Sequence, residues 1–323
     1  METEALETEE KLDDNRRTVV VSINPNSGSK DQRSLVESLA EDLTGQGFTV
    51  HMLTDIEEVK ATVIESSKPE SSKSDSGGLR AVVAAGGDGT VSLLANSLPP
   101  QTPLAILPLG TENLLAKHLG LTADPKAIAQ MIVHGRTMRF DSGRANDKLF
   151  LVMASCGFDA EVVHRVHSKR KGHIRHWSYV KPTFRAIRKY RYPKLRIRTS
   201  ESAKPIVAKW AFIFNVPRYA MNLPIVWDAD PSDGQLDLCT FRGGNLLRGL
   251  FYLAAICLRQ HRGWKYSHFC QFKKIWIEAD ERVPYQLDGD PGGVLPLEIE
   301  VIPKFLRLLV PEKWSPGAVA PSQ

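Results

Sequence analysis

The chain lacks the marks of an exported or membrane-spanning protein. Its first 17 residues, METEALETEEKLDDNRR, are acidic and contain no apolar core of the kind a signal peptide needs. They are expected to form a solvated, disordered tail. No apolar run reaches the roughly 20 residues that span a bilayer. The longest, Leu246 to Leu258, is interrupted by Arg248 and reads as a buried helix. The four cysteines, Cys156, Cys239, Cys257 and Cys270, include no CxxC pair, which argues against a disulfide framework and a cysteine zinc site. The cytoplasm is the expected compartment. GxxxxGK[ST] and the protein-kinase signatures are also missing, and there is no internal repeat.

Acidic residues are missing from one long stretch. Between Val162 and Ser200 there is no Asp or Glu, yet thirteen Lys and Arg residues alternate with Trp177, Tyr179, Phe184, Tyr190 and Tyr192, while the whole chain carries only +5. Such a block seeks an anionic partner. Its aromatic residues suit a membrane interface better than base stacking, so a lipid surface is expected and no nucleic acid. His164, His167, His173 and His176 sit in or beside cations that would repel a metal and read as solvated surface.

What is present points to two domains, since 323 residues with 42% apolar content can bury two modest cores. From Thr18 the pattern alternates: strands at Thr18–Ile23, Phe48–Leu53, Leu79–Ala85 and Leu104–Leu107, with helices between them and one over about Glu112–Leu119. Alternation of this kind predicts a doubly wound parallel sheet. The stretch Ser66 to Gly78 reads as a surface insertion without assigned structure. After Phe140 strand-like segments follow one another (148–155, 195–198, 206–214, 236–241, 272–278, 285–287, 297–301 and 305–310), predicting a β-sandwich-like domain. Helices are few there, chiefly around Tyr179–Tyr190 and Leu246–His261. The expected division is a tail at 1–17, an α/β domain at 18–145, a β-rich domain at 146–304, and a tail at 312–323.

Three loops carry the chemistry. Gly86-Gly87-Asp88-Gly89-Thr90 lies where a buried strand turns into a helix, so bare backbone can approach a polyphosphate and helix-start N–H groups can face it. Asp88 could meet a nucleotide-bound magnesium ion. Asn24-Pro25-Asn26-Ser27-Gly28 and Leu107-Pro108-Leu109-Gly110-Thr111-Glu112-Asn113 also follow strands, and all three should emerge at the carboxyl edge of one sheet, where such sheets bind ligands.

This ordered series resembles the diacylglycerol kinase catalytic-domain family, soluble bacterial lipid kinases related to sphingosine kinases and more distantly to NAD kinases. The likeness continues through Phe140-Asp141-Ser142-Gly143, Gly157-Phe158-Asp159-Ala160, Asp233-Gly234-Gln235-Leu236-Asp237 and Leu287-Asp288-Gly289-Asp290, covering about Thr18 to Pro311. It implies that Gly86, Gly87, Asp88, Gly89 and Thr90, with Asn24, Ser27, Gly28, Thr54, Thr111, Glu112 and Asn113, contact ATP. It implies that Asp233 is a magnesium-linked aspartate, with Asp230 and Gln235 offering further Mg2+ ligands beside it through backbone carbonyls. Asp290 matches the general base, and Asp141, Asp233 and Asp290 resemble a linked acidic network between the domains. A last strand, about Phe305 to Pro311, is implied to return to the first domain.

The chemistry is coherent: an alcohol attacks phosphorus weakly at neutral pH, so a carboxylate takes its proton while magnesium and backbone donors disperse phosphoryl charge. Both Asp-Gly motifs also read as ordinary β-turns.

Three departures stand out. Asp290 replaces the family's usual Glu, Ser29 occupies the usual lysine position with Lys30 following, and Leu114 stands where many members have Asp. The expectation is a cytoplasmic, peripherally membrane-associated lipid kinase that uses ATP and Mg2+ on diacylglycerol or a related lipid. Its lipid would be reached through 162–200, and a homodimer is left open. The alternatives are an NAD kinase-like enzyme with a soluble acceptor and an inactive membrane-binding regulator.

Overall fold

Continuous apolar runs decide the architecture of the first half, because a strand buried on both faces has no polar side to alternate. In the computed structural model, which describes residues 9–24, 30–68, 78–167, 190–220 and 223–315, TVVVSI, LRAVVAAG and PLAILP are such strands. The described residues up to Asp141, with those from Pro303 onward, form one unit, and Ser142–Ile302 form a second.

In the first unit the order is β1 (Glu9–Lys11), β2 (Thr18–Ile23), α1 (Lys30–Gly45), β3 (Thr49–Leu53), α2 (Ile56–Ser66), β4 (Leu79–Gly86), α3 (Asp88–Ser97), β5 (Pro103–Pro108), α4 (Leu114–His118) and α5 (Pro125–His134). Strands β3, β2, β4 and β5 lie side by side in that order, all parallel. Val19, Val21, Val83, Ala85 and Leu107 pack with Leu39 and Leu43 of α1 and Ile128 and Ile132 of α5. Helix starts are written locally: the Asp55 carboxylate accepts the Glu57 and Glu58 N–H groups, and that of Asp124 accepts those of Lys126 and Ala127.

Two strands carry the chain between units, β6 (Arg136–Ala145) and β17 (Leu297–Leu309). The second contains β7 (Lys148–Phe150), β8 (Met153–Gly157), α6 (Phe158–His167), β9 (Leu195–Thr199), β10 (Ser202–Ala208), β11 (Trp210–Phe214), β12 (Leu236–Phe241), α7 (Leu246–Cys257), β13 (Ser267–Phe272), β14 (Lys274–Ala279), β15 (Pro284–Leu287) and β16 (Asp290–Val294). One antiparallel sheet runs β13-β12-β11-β8-β15-β16. The other runs β10-β9-β14 and then the first residues of β17. Ala154, Ile213, Leu236 and Leu238 from the first share a core with Ile197, Ile275, Ile277 and Ile299 from the second, the packing of a sandwich. The end of β17 lies in the first unit, where Arg307 and Leu308 pair in parallel with Pro103 and Leu104.

The described part of the acidic amino terminus, from Glu9 onward, departs from the expected tail. Glu9–Lys11 pair antiparallel with Arg136–Met138. Glu9 meets Arg136 at 2.6 Å, Glu10 meets Arg139 at 2.6 Å and Arg307 at 2.8 Å, and Leu12 is buried. Those arginines are over a hundred residues away in the chain, so the acidic composition alone reads as solvated. Next to this strand the buried Arg80 donates to the carbonyls of Ile132, Val133 and Asp13, closing the end of α5. The helix 246–261 is also corrected: α7 ends at Cys257 and buries Tyr252, Ala255 and Ile256 while exposing its other face. Among the described residues no helix is long and apolar enough to cross a membrane.

Candidate active site

The parallel register brings the expected loops to one edge. Ile23 lies beside Ala85, Ser22 beside Leu53, and Gly86 beside Pro108, so Asn24, Thr54, Gly87 and Leu109 all leave the same end of the sheet. Ser27 and Gly28 lie outside the described residues. Thr54 and Thr111 are exposed.

Each residue of the GGDGT run has a local reason. A Cβ on Gly86 would sit 2.2 Å from the Thr90 hydroxyl oxygen, so only glycine leaves Thr90 its buried place at the start of α3. The loops of β4 and β5 then meet backbone to backbone, since a Cβ on Gly110 would fall 2.5 Å from the Gly87 Cα. Asn113, at φ 50°, accepts the Gly110 N–H and donates to the Gly110 carbonyl, both at 2.9 Å, closing that turn. Gln32 of α1 donates to the Leu109 carbonyl at 2.9 Å.

Asp88 has a use that its motif does not disclose. Its carboxylate accepts the Leu114 and Leu115 N–H groups at 3.0 and 3.3 Å, tying the start of α3 to the start of α4. Burial raises its pKa above the ordinary carboxylate range, against the pull of those two donors. Leu114 therefore contributes its backbone to an acid from the neighbouring loop. Glu112 pairs with Lys117 at 3.5 Å.

The second unit holds the remaining acids. Asp288 and Gly289, at φ 50° and 87°, form the two-residue turn of the β15–β16 hairpin. The turn reading of this Asp-Gly is therefore correct, and the same turn starts β16 with an exposed Asp290. It is braced from below. The Asp288 carboxylate accepts the N–H groups of Leu151, Val152 and Met153 at 2.8–3.0 Å. Gln286, 1% exposed, accepts the Gly289 N–H at 2.8 Å and donates to Ser155 at 3.0 Å and to Asp159 at 3.3 Å. Asp159, in the first turn of α6, also accepts the hydroxyls of Ser155 and Tyr219. Burial raises the Asp159 pKa in spite of these three donors. In the sequence Asp159 stands only within Gly157-Phe158-Asp159-Ala160 and Gln286 belongs to no motif, because neither residue type nor spacing reveals a buried polar chain under a hairpin.

Asp230 and Asp233 sit in the loop before β12. Asp230 accepts the Ser232 N–H and hydroxyl at 2.9 and 2.6 Å, while Asp233 accepts the Gln235 N–H and the Gln271 amide, both at 2.8 Å. Burial, then the charges of Asp233 and Asp228, push Asp237 up to about 7. These oxygen-only donors, repelling one another, have the chemistry a hard cation prefers. Among the described residues no three acidic, histidine or cysteine side chains are gathered as for a metal ion. Asp141 is fully buried in the first unit and accepts the Lys304 N–H at 2.7 Å, so this contact makes it a support for the returning strand.

Comparison with known proteins decides the family. Residues 18–145 match the family described as diacylglycerol kinase catalytic domain, and 152–310 match the YegS C-terminal NAD kinase beta sandwich-like domain. A diacylglycerol kinase of Mycobacterium tuberculosis (strain CDC 1551 / Oshkosh) is 31% identical over 243 residues, spanning 72% of this chain and 78% of that one. The chain belongs to the diacylglycerol kinase catalytic-domain family. It is a lipid-kinase enzyme. The diacylglycerol kinase of Bacillus subtilis (strain 168) is 24% identical over the same shares of the two chains. A crystal structure of a diacylglycerol kinase from Bacillus anthracis str. Sterne, at 17% identity, superposes with a TM-score of 0.64 over 91% of this chain and 97% of that chain, which shows the shared fold.

Proposed function

We propose that this family member transfers the γ-phosphate of ATP, with Mg2+, to the hydroxyl of diacylglycerol or a related lipid. The observation that supports it most is the shared edge of β2, β3, β4 and β5, where Gly87 and Gly110 touch without side chains and leave backbone N–H groups at the start of α3 for a polyphosphate. Asp290, exposed at the start of β16, is the base. The acceptor oxygen bonds to the γ-phosphorus, the bond to the β–γ bridging oxygen breaks, ADP leaves, and the hydroxyl proton passes to the Asp290 carboxylate. Asp230, Asp233 and Gln235 would hold Mg2+, which neutralises phosphate charge when bound. Gln286 and Asp159 hold the hairpin that presents Asp290.

The acid-free segment 162–200 would bring the enzyme to anionic membrane as a peripheral protein; its residues 168–189 lie outside the described ones. Incubation with labelled ATP and a panel of lipid alcohols together with NAD as a water-soluble acceptor, with and without Mg2+, tests the reading. A labelled lipid that requires Mg2+ supports it. Label appearing only in a water-soluble acceptor would place the chain with NAD kinase-like activity instead.

A further inference from the structure

Of the eleven large apolar side chains exposed among the described residues, six lie in one run: Leu247, Leu250, Phe251, Leu253, Leu258 and Tyr266. A helix normally turns its apolar stripe inward and its charges outward. Helix α7, LLRGLFYLAAIC, does not. Tyr252, Ala255 and Ile256 face the core, yet Leu247, Leu250, Phe251 and Leu258 recur at spacings of three, four and seven on the opposite side, with Leu247 77% and Leu258 67% exposed. Several bulky apolar groups on one exposed face mark a surface that meets something apolar.

Charge says what that something is. From Leu238 to Ile277 the chain has no Asp or Glu, and it carries Arg242, Arg248, Arg259, Arg262, Lys265, Lys273 and Lys274. Aromatic groups stand beside the helix: Phe251 stacks on Trp264 at 4.7 Å, and Tyr266 lies under the cations of Arg248 and Lys265 at 5.8 and 5.0 Å. Arg262 pairs with Asp228 at 2.6 Å, and the other cations that flank α7 in the chain, Arg242, Arg248, Arg259 and Lys265, are exposed and form its rim. Apolar side chains ringed by cations and by Trp and Tyr are what a bilayer interface selects. A second copy of the chain is the poorer occupant, because a twofold contact would set the same cationic rim against itself.

We propose that the outer face of α7 docks on an anionic lipid bilayer, its leucines and Phe251 entering the headgroup boundary and its cations lying on the anionic surface. The proposal rests on the lipid-acceptor reading only in that such an acceptor resides in a bilayer. It differs from the basic segment 162–200 in supplying insertion as well as charge.

The test is co-sedimentation of the full chain with vesicles of phosphatidylcholine alone or mixed with phosphatidylglycerol. The triple variant Leu247→Ser, Leu250→Ser and Phe251→Ser should bind the mixed vesicles about tenfold or more weakly. Reversing Arg259 and Lys265 to Glu should weaken binding to mixed vesicles and leave neutral ones unaffected. Ile64→Ser, an exposed apolar residue on α2, should change nothing. Leu247→Gln with Leu258→Gln is the second variant should the triple one unfold. Phosphorylation of a short-chain, water-soluble diacylglycerol should survive in all of them. Unchanged vesicle binding in folded α7 variants overturns the proposal, as does a wild-type dimer that these variants dissociate without losing vesicle binding. If no protein phosphorylates any lipid but the α7 variants still lose vesicle binding, docking stands and the acceptor assignment alone falls.

Discussion

The Gln286 amide is the point where a buried carboxylate and an exposed one are linked. It accepts the Gly289 N–H next to Asp290 and donates toward Asp159, so Gln286→Leu leaves a turn donor without its acceptor and frees the hairpin to shift. With Asp290 as the base, a displacement of that size should lower kcat by about 10- to 100-fold. ATP affinity should hold, because the nucleotide loops lie in the other unit; steady-state kinetics beside calorimetry check the split. Asp159 supplies a pH test. Its folded pKa is raised above 3.8 by burial, so the folded chain keeps a proton that the unfolded chain releases. That stabilising term is complete below the unfolded value of about 3.9 and is lost as pH rises from there through the folded value. Asp159→Asn cannot ionise and should gain stability relative to wild type as pH rises from about 4 through the raised folded value. Urea unfolding over a rising pH series reads it, and a difference that does not grow with pH would contradict it. The loop at GGDGT and the turn at DGD were legible because glycine and aspartate there are needed for backbone shape. The capping of α4 by Asp88 was not, since it joins residues 26 and 27 positions apart.

Elements follow the same division. Strands β2, β4 and β5 were legible as short β-branched or apolar runs, and their parallel register then placed three loops together without further information. Strands β13 and β16 were missed for opposite reasons. SHFCQF is half-buried along most of its length and shows no alternation, while DPGGV contains the residues that usually end a strand. The outer face of α7 was misread as core because apolar content does not say which side a helix buries. The contact of Gly87 with Gly110 makes a direct test of the loop pair. Gly110→Ala puts a methyl 2.5 Å from the Gly87 Cα and 2.6 Å from the Asn113 side-chain oxygen, so backbone must move. A cost of about 1–3 kcal/mol is expected. ATP affinity should fall with it. Gly45→Ala, with open space around it, is the control and should be neutral or stabilising. Calorimetric titration and thermal unfolding of both variants report the outcome.

At the scale of the whole molecule, an α/β unit and a β-sandwich unit share one chain that leaves the first unit through β6 and returns through β17. That order was legible, because the change from alternating to serial strands after Phe140 is a change of period in the chain itself. The acidic amino terminus was not, because its arginine partners are supplied by β6 and β17. The central claim is that this molecule phosphorylates a lipid alcohol with Asp290 as its base. It is tested most directly by labelled ATP and diacylglycerol in mixed micelles, wild type and Asp290→Asn side by side. The account predicts labelled phosphatidic acid from the wild type and a turnover about 100-fold or more lower in the variant at unchanged ATP affinity. Equal turnover in the two proteins, or no labelled lipid from the wild type with diacylglycerol or any related lipid alcohol in its place, would contradict it.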